Sequence, residues 1–214
     1  MNRRDFSAAL VATGFGAAAL PLTASAQGGA PTEGVQFAKV DPPVAPIAPG
    51  KIEVIEFFSY ACPHCAAFEP TVEAWSKKLP ADVAFYRMPA PFLMNAENFM
   101  KTYYTLDTMG QVGAMQRKIF TAVHVDRLHL DKPADIAALA GKNGIDAAKF
   151  LDVFNSFSVA TSVARAKKLA AAYKLDGVPT MMVNGRYSTS PSQTGSSEQT
   201  VAVVDYLIQR ARKG

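Results

Sequence analysis

The sequence is poor in residues that build metal centres or disulfide frameworks: its 214 residues include only two cysteines and three histidines. Closed zinc sites take four ligands, and His64, lying between the two cysteines, points elsewhere on the helix turn. His124 and His129 have no matching partner set and read as helix-surface or cap residues. No metal and no cofactor is therefore expected. Net charge is scarce too, with 22 Lys and Arg against 18 Asp and Glu. The basic residues are scattered, whereas phosphate binding needs a clustered patch, so no nucleic-acid partner is expected. Arg210, Arg212 and Lys213 sit where a last helix would end, a position that favours cations anyway. After Leu22 no apolar run approaches the roughly 20 residues needed to span a bilayer. No internal repeat is visible.

What the N-terminus does hold is an export signature. Arg3 and Arg4 precede an alanine-rich apolar run from Ala8 to Leu22, and Ala24-Ser25-Ala26 supplies small residues for cleavage. The run is too short for a comfortable permanent anchor. The Arg3-Arg4-Asp5-Phe6 string resembles a twin-arginine signal, and a general secretory signal with paired arginines remains the alternative. Residues 1–26 are read as a cleaved signal peptide, with a mature chain from about Gln27. Export places the cysteines in an oxidising compartment, where two usually make one structural staple. Cys62 and Cys65 are only three positions apart, and loop-entropy stabilisation grows with loop size. Such a bridge cross-links almost nothing, so the pair is there for reactivity.

The remaining chain, 49% hydrophobic and 19% charged overall, reads as an ordinary globular protein. A short strand is expected near Val35–Val40, then a proline-rich loop from Asp41 to Gly50. Ile52 to Phe58 is β-branched and aromatic with a near-continuous apolar character, as in a central buried strand. A helix begins at the cysteines and runs to about Leu79, and Val83 to Met88 gives a third strand. From Asn95 to about Lys174 the periodicity is helical, with starts at Asn95, Asp131 and Asp146. Thr180 to Val183 is a strand, Asn184-Gly185 a hairpin turn, and Arg186-Tyr187 its partner. A polar loop, Ser188 to Ser197, leads to a last amphipathic helix ending near Arg212. The order describes one α/β unit, residues 27–94 and 175–214, with a helical insertion at 95–174.

Cys62-Pro63-His64-Cys65 stands where a buried strand gives way to a helix. Proline is favoured at the first helical position, which makes Cys62 the N-cap, facing unpaired N–H groups and the positive end of the helix dipole. A thiolate is stabilised there. Cys65 lies one turn later on the same face and can close the disulfide. His64 adds a nearby N–H donor, or a positive charge when protonated. Pro70 is expected to kink the helix. Glu56 shares strand parity with Ile52, Val54 and Phe58 and points inward, whereas Glu69 reads as a solvated or ion-paired surface residue. Of the eight methionines, Met181 and Met182 alone are candidates for an apolar substrate groove; for most, core filling is the reading.

Glu56-Phe57-Phe58-Ser59 leading into Cys62-Pro63-His64-Cys65, the helical insertion, and Gly177-Val178-Pro179-Thr180 before the final hairpin together resemble the DsbA family of periplasmic dithiol oxidases, over nearly the whole mature chain. The resemblance implies a thioredoxin fold with an inserted α-helical subdomain and a monomeric periplasmic enzyme. It also implies a Cys62–Cys65 redox disulfide that oxidises reduced, unfolded exported proteins, and reoxidation by a DsbB-type quinone-linked membrane protein. By the same resemblance Pro179 is a cis proline beside the disulfide, and Val178 before it pairs its backbone with substrate. Glu56 matches the family's buried carboxylate, able to shuttle the proton of Cys65. Competing readings are a disulfide isomerase or reductase on the same fold, for which residues 27–50 are too short to add a dimerisation domain, a CxxC metal-binding module, and a redox-silent peptide-binding chaperone.

Overall fold

The computed structural model describes residues 29–213; the expected signal peptide, residues 1–26, lies outside them. Among the described residues, no helix is long and apolar enough to cross a membrane. Strand β1 is Ala38–Lys39, β2 is Ile52–Phe58, and helix α1, Pro63–Ser76, leads to β3, Val83–Pro89. Five helices follow: α2 (Ala96–Thr108), α3 (Val112–His124), α4 (Pro133–Lys142), α5 (Ala147–Phe154) and α6 (Phe157–Ala172). The chain then returns to the sheet as β4 (Thr180–Val183) and β5 (Tyr187–Thr189), and ends in α7 (Pro191–Thr194) and α8 (Ser197–Arg212).

The strands form one sheet in the order β1-β5-β4-β2-β3, with β2 and β3 parallel and the other pairs antiparallel. Strand β2 lies inside the sheet and every residue from Glu53 to Phe58 is buried, the outcome its apolar run predicts. On one face Val54 packs with Phe68, Val72, Val204 and Leu207 of α1 and α8. On the other, Ile55 and Phe57 pack with Ala170, Tyr173 and Met182. The helical layer has a small core of its own, Met100 of α2 with Val159, Val163 and Ala166 of α6, but its larger cluster is shared with the sheet. Phe58 and Tyr60, at the end of β2, pack directly against Tyr103, Phe120 and Phe99. These helices therefore pack at the end of β2 from which the cysteines emerge.

Three local expectations are corrected. The first strand shrinks to two residues because Gly34, with positive φ, turns the chain back on itself between Thr32 and Phe37. Strand β5 begins at Tyr187, not Arg186, because Asn184 and Gly185 both have positive φ and Arg186 N–H donates to Val183 to close the turn. The stretch 188–197 is not a plain loop. It contains the end of β5 and the single-turn helix α7, started by Pro191 and fastened to α8 through the Thr194 and Thr200 hydroxyls, 2.7 Å apart.

The proline-rich segment 41–50 is a strap over the sheet. Val44 N–H donates to Gly185, and Ile47 N–H donates to the Glu53 carboxylate at 2.6 Å. Glu53 is buried, and that burial raises its pKa despite the amides it accepts from.

Candidate active site

Cys62 ends the turn that follows β2. Its N–H donates to Ser59 O, its backbone is extended (φ −94°, ψ 116°), and its carbonyl accepts from Ala66 to begin α1. Pro63 occupies the first helical turn. These local rules place Cys62 as N-cap and bring Cys65 under it one turn later. Both are free thiols and both are buried, Cys62 at 5% exposure and Cys65 at 1%. The reactive sulfur is thus mostly covered. Its cover includes Val178, whose carbonyl lies 3.4 Å from Cys62 Sγ. The Val178–Pro179 peptide bond is cis.

The two thiols differ sharply in acidity. Cys62 is brought down to about 6, first by the Cys65 thiol donating to its sulfur, with burial opposing, then by the Cys65 and His64 amides and the charge of His64. The helix-terminal amides expected from the sequence do lower it, but they rank behind the partner cysteine. The sulfur makes no full capping hydrogen bond, so they act chiefly as oriented dipoles. Cys65 moves the opposite way: burial and the neighbouring Cys62 sulfur push its thiol far up. One cysteine is a ready thiolate and its partner holds its proton, an asymmetry suited to disulfide exchange.

His64 is exposed on the first turn of α1 and lines a cleft of about 660 Å3, together with Val178, Pro179, Thr180 and Met182. The far wall is hydroxyl-rich, with Ser188, Ser190 and Ser192. Met181, expected in this groove, is instead fully buried in the core beneath α8. Alternation along β4 sends adjacent side chains to opposite faces, so only Met182 reaches the cleft.

Below the cysteines lies a buried charge cluster. Glu56, 1% exposed, accepts from Arg87 Nε at 3.0 Å. Glu69 accepts from Arg87 Nη2 at 2.9 Å and is itself only 2% exposed. The surface position expected for Glu69 is therefore wrong, because α1 turns that face onto β3 and α3. Helix α1 also runs through Pro70 without interruption. Burial raises the pKa of both carboxyls, and Arg87 opposes the rise in each. The Gln116 amide accepts from the Tyr60 hydroxyl at 2.5 Å and donates to Glu69 at 3.4 Å. His124, at the end of α3, places Nε2 2.8 Å from Tyr60 O.

Arg87, Gln116 and Tyr60 were not singled out from the sequence. Arg87 had a signal: a lone cation within Val83-Ala84-Phe85-Tyr86-Arg87-Met88, in a strand that pairs it with Glu56. Gln116 interrupts the apolar stripe of Met115, Ile119 and Phe120. A buried polar residue in such a stripe needs a partner.

A sheet of this order with a cysteine pair at the start of its first helix defines a thiol:disulfide oxidoreductase of the thioredoxin class. The family described as DSBA-like thioredoxin domain matches residues 82–203. The thiol:disulfide interchange protein DsbA of Pseudomonas aeruginosa is 43% identical over 183 residues, 85% of this chain and 86% of that one. In a chain of 214 residues a match of that length necessarily spans the cysteine pair. DsbA of Bordetella pertussis is 41% identical over 214 residues, the whole of both chains. The crystal structure of Pseudomonas aeruginosa DsbA superposes with a TM-score of 0.82 at 42% identity, covering 85% of this chain and 95% of that one. The chain belongs to the DsbA family.

Proposed function

We propose that this protein is a periplasmic dithiol oxidase that transfers the Cys62–Cys65 disulfide to reduced, unfolded exported proteins. The observation that carries the reading is the opposed acidity of the two thiols, Cys62 lowered to about 6 and Cys65 raised. A substrate thiolate attacks Cys62 Sγ, the Cys62–Cys65 bond breaks, and the Cys65 sulfur leaves and takes up a proton. A second substrate thiolate then attacks the substrate sulfur of the mixed disulfide, and Cys62 leaves as a thiolate. Low thiol pKa makes a good leaving group, so this second step runs toward oxidised substrate.

The surrounding residues take roles that fit this cycle. Pro63 fixes the helix start, and His64 adds positive potential at Cys62. Val178 and Pro179 shape the cleft wall where an extended substrate strand lies, and Met182 supplies an apolar contact at its floor. Glu56 exchanges the Cys65 proton. Residues 27–94 and 175–214 form the thioredoxin-like unit and 95–174 the helical insertion. The protein acts as a monomer, exported by the signal at residues 1–26, and a DsbB-type quinone-linked membrane protein reoxidises it.

The test compares wild type and Cys62→Ser for oxidation of a reduced, unfolded protein and for insulin reduction. Wild type should oxidise the substrate stoichiometrically, while the variant should do neither. Equal oxidation by the variant would remove the assignment.

A further inference from the structure

Two buried carboxylates, Glu56 and Glu69, share the single guanidinium of Arg87. One cation balances one carboxylate, so the second favours holding a proton. The proton settles on whichever acid has fewer donors, since hydrogen bonds to the ionised form stabilise it. Glu56 receives one bond, from Arg87 Nε. Glu69 receives two, from Arg87 Nη2 and from the Gln116 amide. The orientation of that amide is fixed from its other end, because its oxygen accepts from the Tyr60 hydroxyl. Its NH2 group must then face Glu69, which favours the carboxylate there.

We infer that Gln116 is a positioning residue for disulfide exchange: by donating to Glu69 it keeps that carboxylate ionised and leaves the shared proton on Glu56, the acid that serves Cys65. The inference rests on the proton-exchange role given to Glu56 above. It adds a group from the helical layer that decides which acid is loaded. In the first chemical step a substrate thiolate bonds to Cys62, the Cys62–Cys65 bond breaks, and the Glu56 carboxyl gives its proton to the Cys65 sulfur. The products are a mixed disulfide, a neutral Cys65 thiol and a Glu56 carboxylate now facing Arg87. The charge of Glu56 is among those felt at Cys65.

The groups that face this pair from every side are few. Arg87 comes from β3, Gln116 from α3, Tyr103 from α2, Tyr60 from the turn before α1, and Glu73 and Cys65 from α1 itself; Arg117 and His124 of α3 line a surface pocket with Glu69, and Arg117 pairs there with Glu73. Arg87 is the cation bonded to both acids, and burial keeps both tyrosines neutral.

The experiment follows the pre-steady-state rate of thiol attack on the oxidised full-length mature protein, corrected for ionisation of the attacking thiol. In wild type the corrected rate should fall as rising pH strips the proton from the pair. In Gln116→Leu that falling limb should move down by about one pH unit, a loss of up to about tenfold in rate above it, the size expected for one hydrogen bond to a charged group. Gln116→Asn, one methylene too short to reach, should move it the same way and guards against a folding defect in the leucine variant. Glu56→Gln should abolish the limb. If Glu56→Gln abolishes it while both Gln116 variants overlay the wild type, the role of Gln116 is overturned and that of Glu56 stands. If Glu56→Gln leaves the limb in place, both are overturned.

Discussion

The sulfur of Cys62 and the carbonyl oxygen of Val178 lie 3.4 Å apart across 116 positions of sequence. As a thiol, Cys62 donates to that oxygen. As a thiolate it has no proton to give, and the carbonyl dipole repels it. The loop carrying Pro179 is thus held closest to the protonated sulfur, and ionisation favours freeing the carbonyl. Cys62 also receives a hydrogen bond from Cys65, and the balance between these contacts governs the site.

The first prediction concerns that donor. Thiolate absorbance of the reduced protein should titrate with a midpoint near 6 for Cys62. Because the Cys65 thiol is the largest lowering influence, Cys65→Ala should raise the midpoint by a unit or more. Cys65→Ser, which keeps a hydroxyl donor, should raise it less. Equal midpoints in the two variants would show that Cys65 does not act as a donor.

The same shift appears as stability. A thiol whose folded pKa is lowered from 9.0 to about 6 stabilises the reduced fold fully above pH 9 and loses that contribution as pH falls toward 6. The size is at most about 4 kcal/mol, and less where water screens the sulfur. The disulfide form cannot ionise there, so it is the internal reference. Urea unfolding at pH 5.5, 7 and 8.5 should show reduced stability rising relative to oxidised. Parallel curves would contradict the lowered pKa.

Arg87→Met should be among the most damaging single changes in the buried cluster. Removing the cation leaves Glu56 and Glu69 facing each other without compensation, at a cost of about 3–5 kcal/mol. The carboxyls already have raised folded pKa values, and this variant raises them further. Groups of that kind favour the fold at low pH and cease to do so as pH rises through the folded value. The variant should therefore be closer to wild type at pH 5 than at pH 8, and adding Glu56→Gln should recover part of the loss. Uniform destabilisation across this range would argue against buried ionised acids.

Gly185→Ala tests the strap over the sheet. Gly185 has φ +65°, and a Cβ built there would stand 1.8 Å from Val44 O. The backbone must either move or break the Val44–Gly185 hydrogen bond, at about 2–3 kcal/mol. In a chain of this size that lowers the melting temperature by roughly 5–10 °C. An unchanged melting temperature would mean that the strap is loosely held.

The catalytic motif was legible because its logic is short-range. Pro63 at a helix start, Cys62 as its cap and Cys65 one turn on are fixed by backbone rules within four residues. Strand β2 was legible for a similar reason: a run of seven residues with five β-branched or aromatic ones has one comfortable place, inside a sheet. Glu69 was misread because helix periodicity alone does not say which face is covered. Its side chain is as close to solvent as to sheet until β3 and α3 are docked. Met181 failed similarly, since two adjacent methionines on a strand cannot both face the cleft, and only the pairing of β4 with β2 says which one does.

Sequence by itself settled the reactive pair, the strand–helix order and the long helical segment between the third and fourth strands. Tertiary structure alone set Val178 against Cys62, Arg87 between Glu56 and Glu69, and Gln116 between Tyr60 and Glu69. Neighbours along a chain meet by covalent geometry and local propensity. These partners lie on different elements, and only sheet register and helix docking, driven by burial of the shared apolar core, bring them within hydrogen-bonding distance.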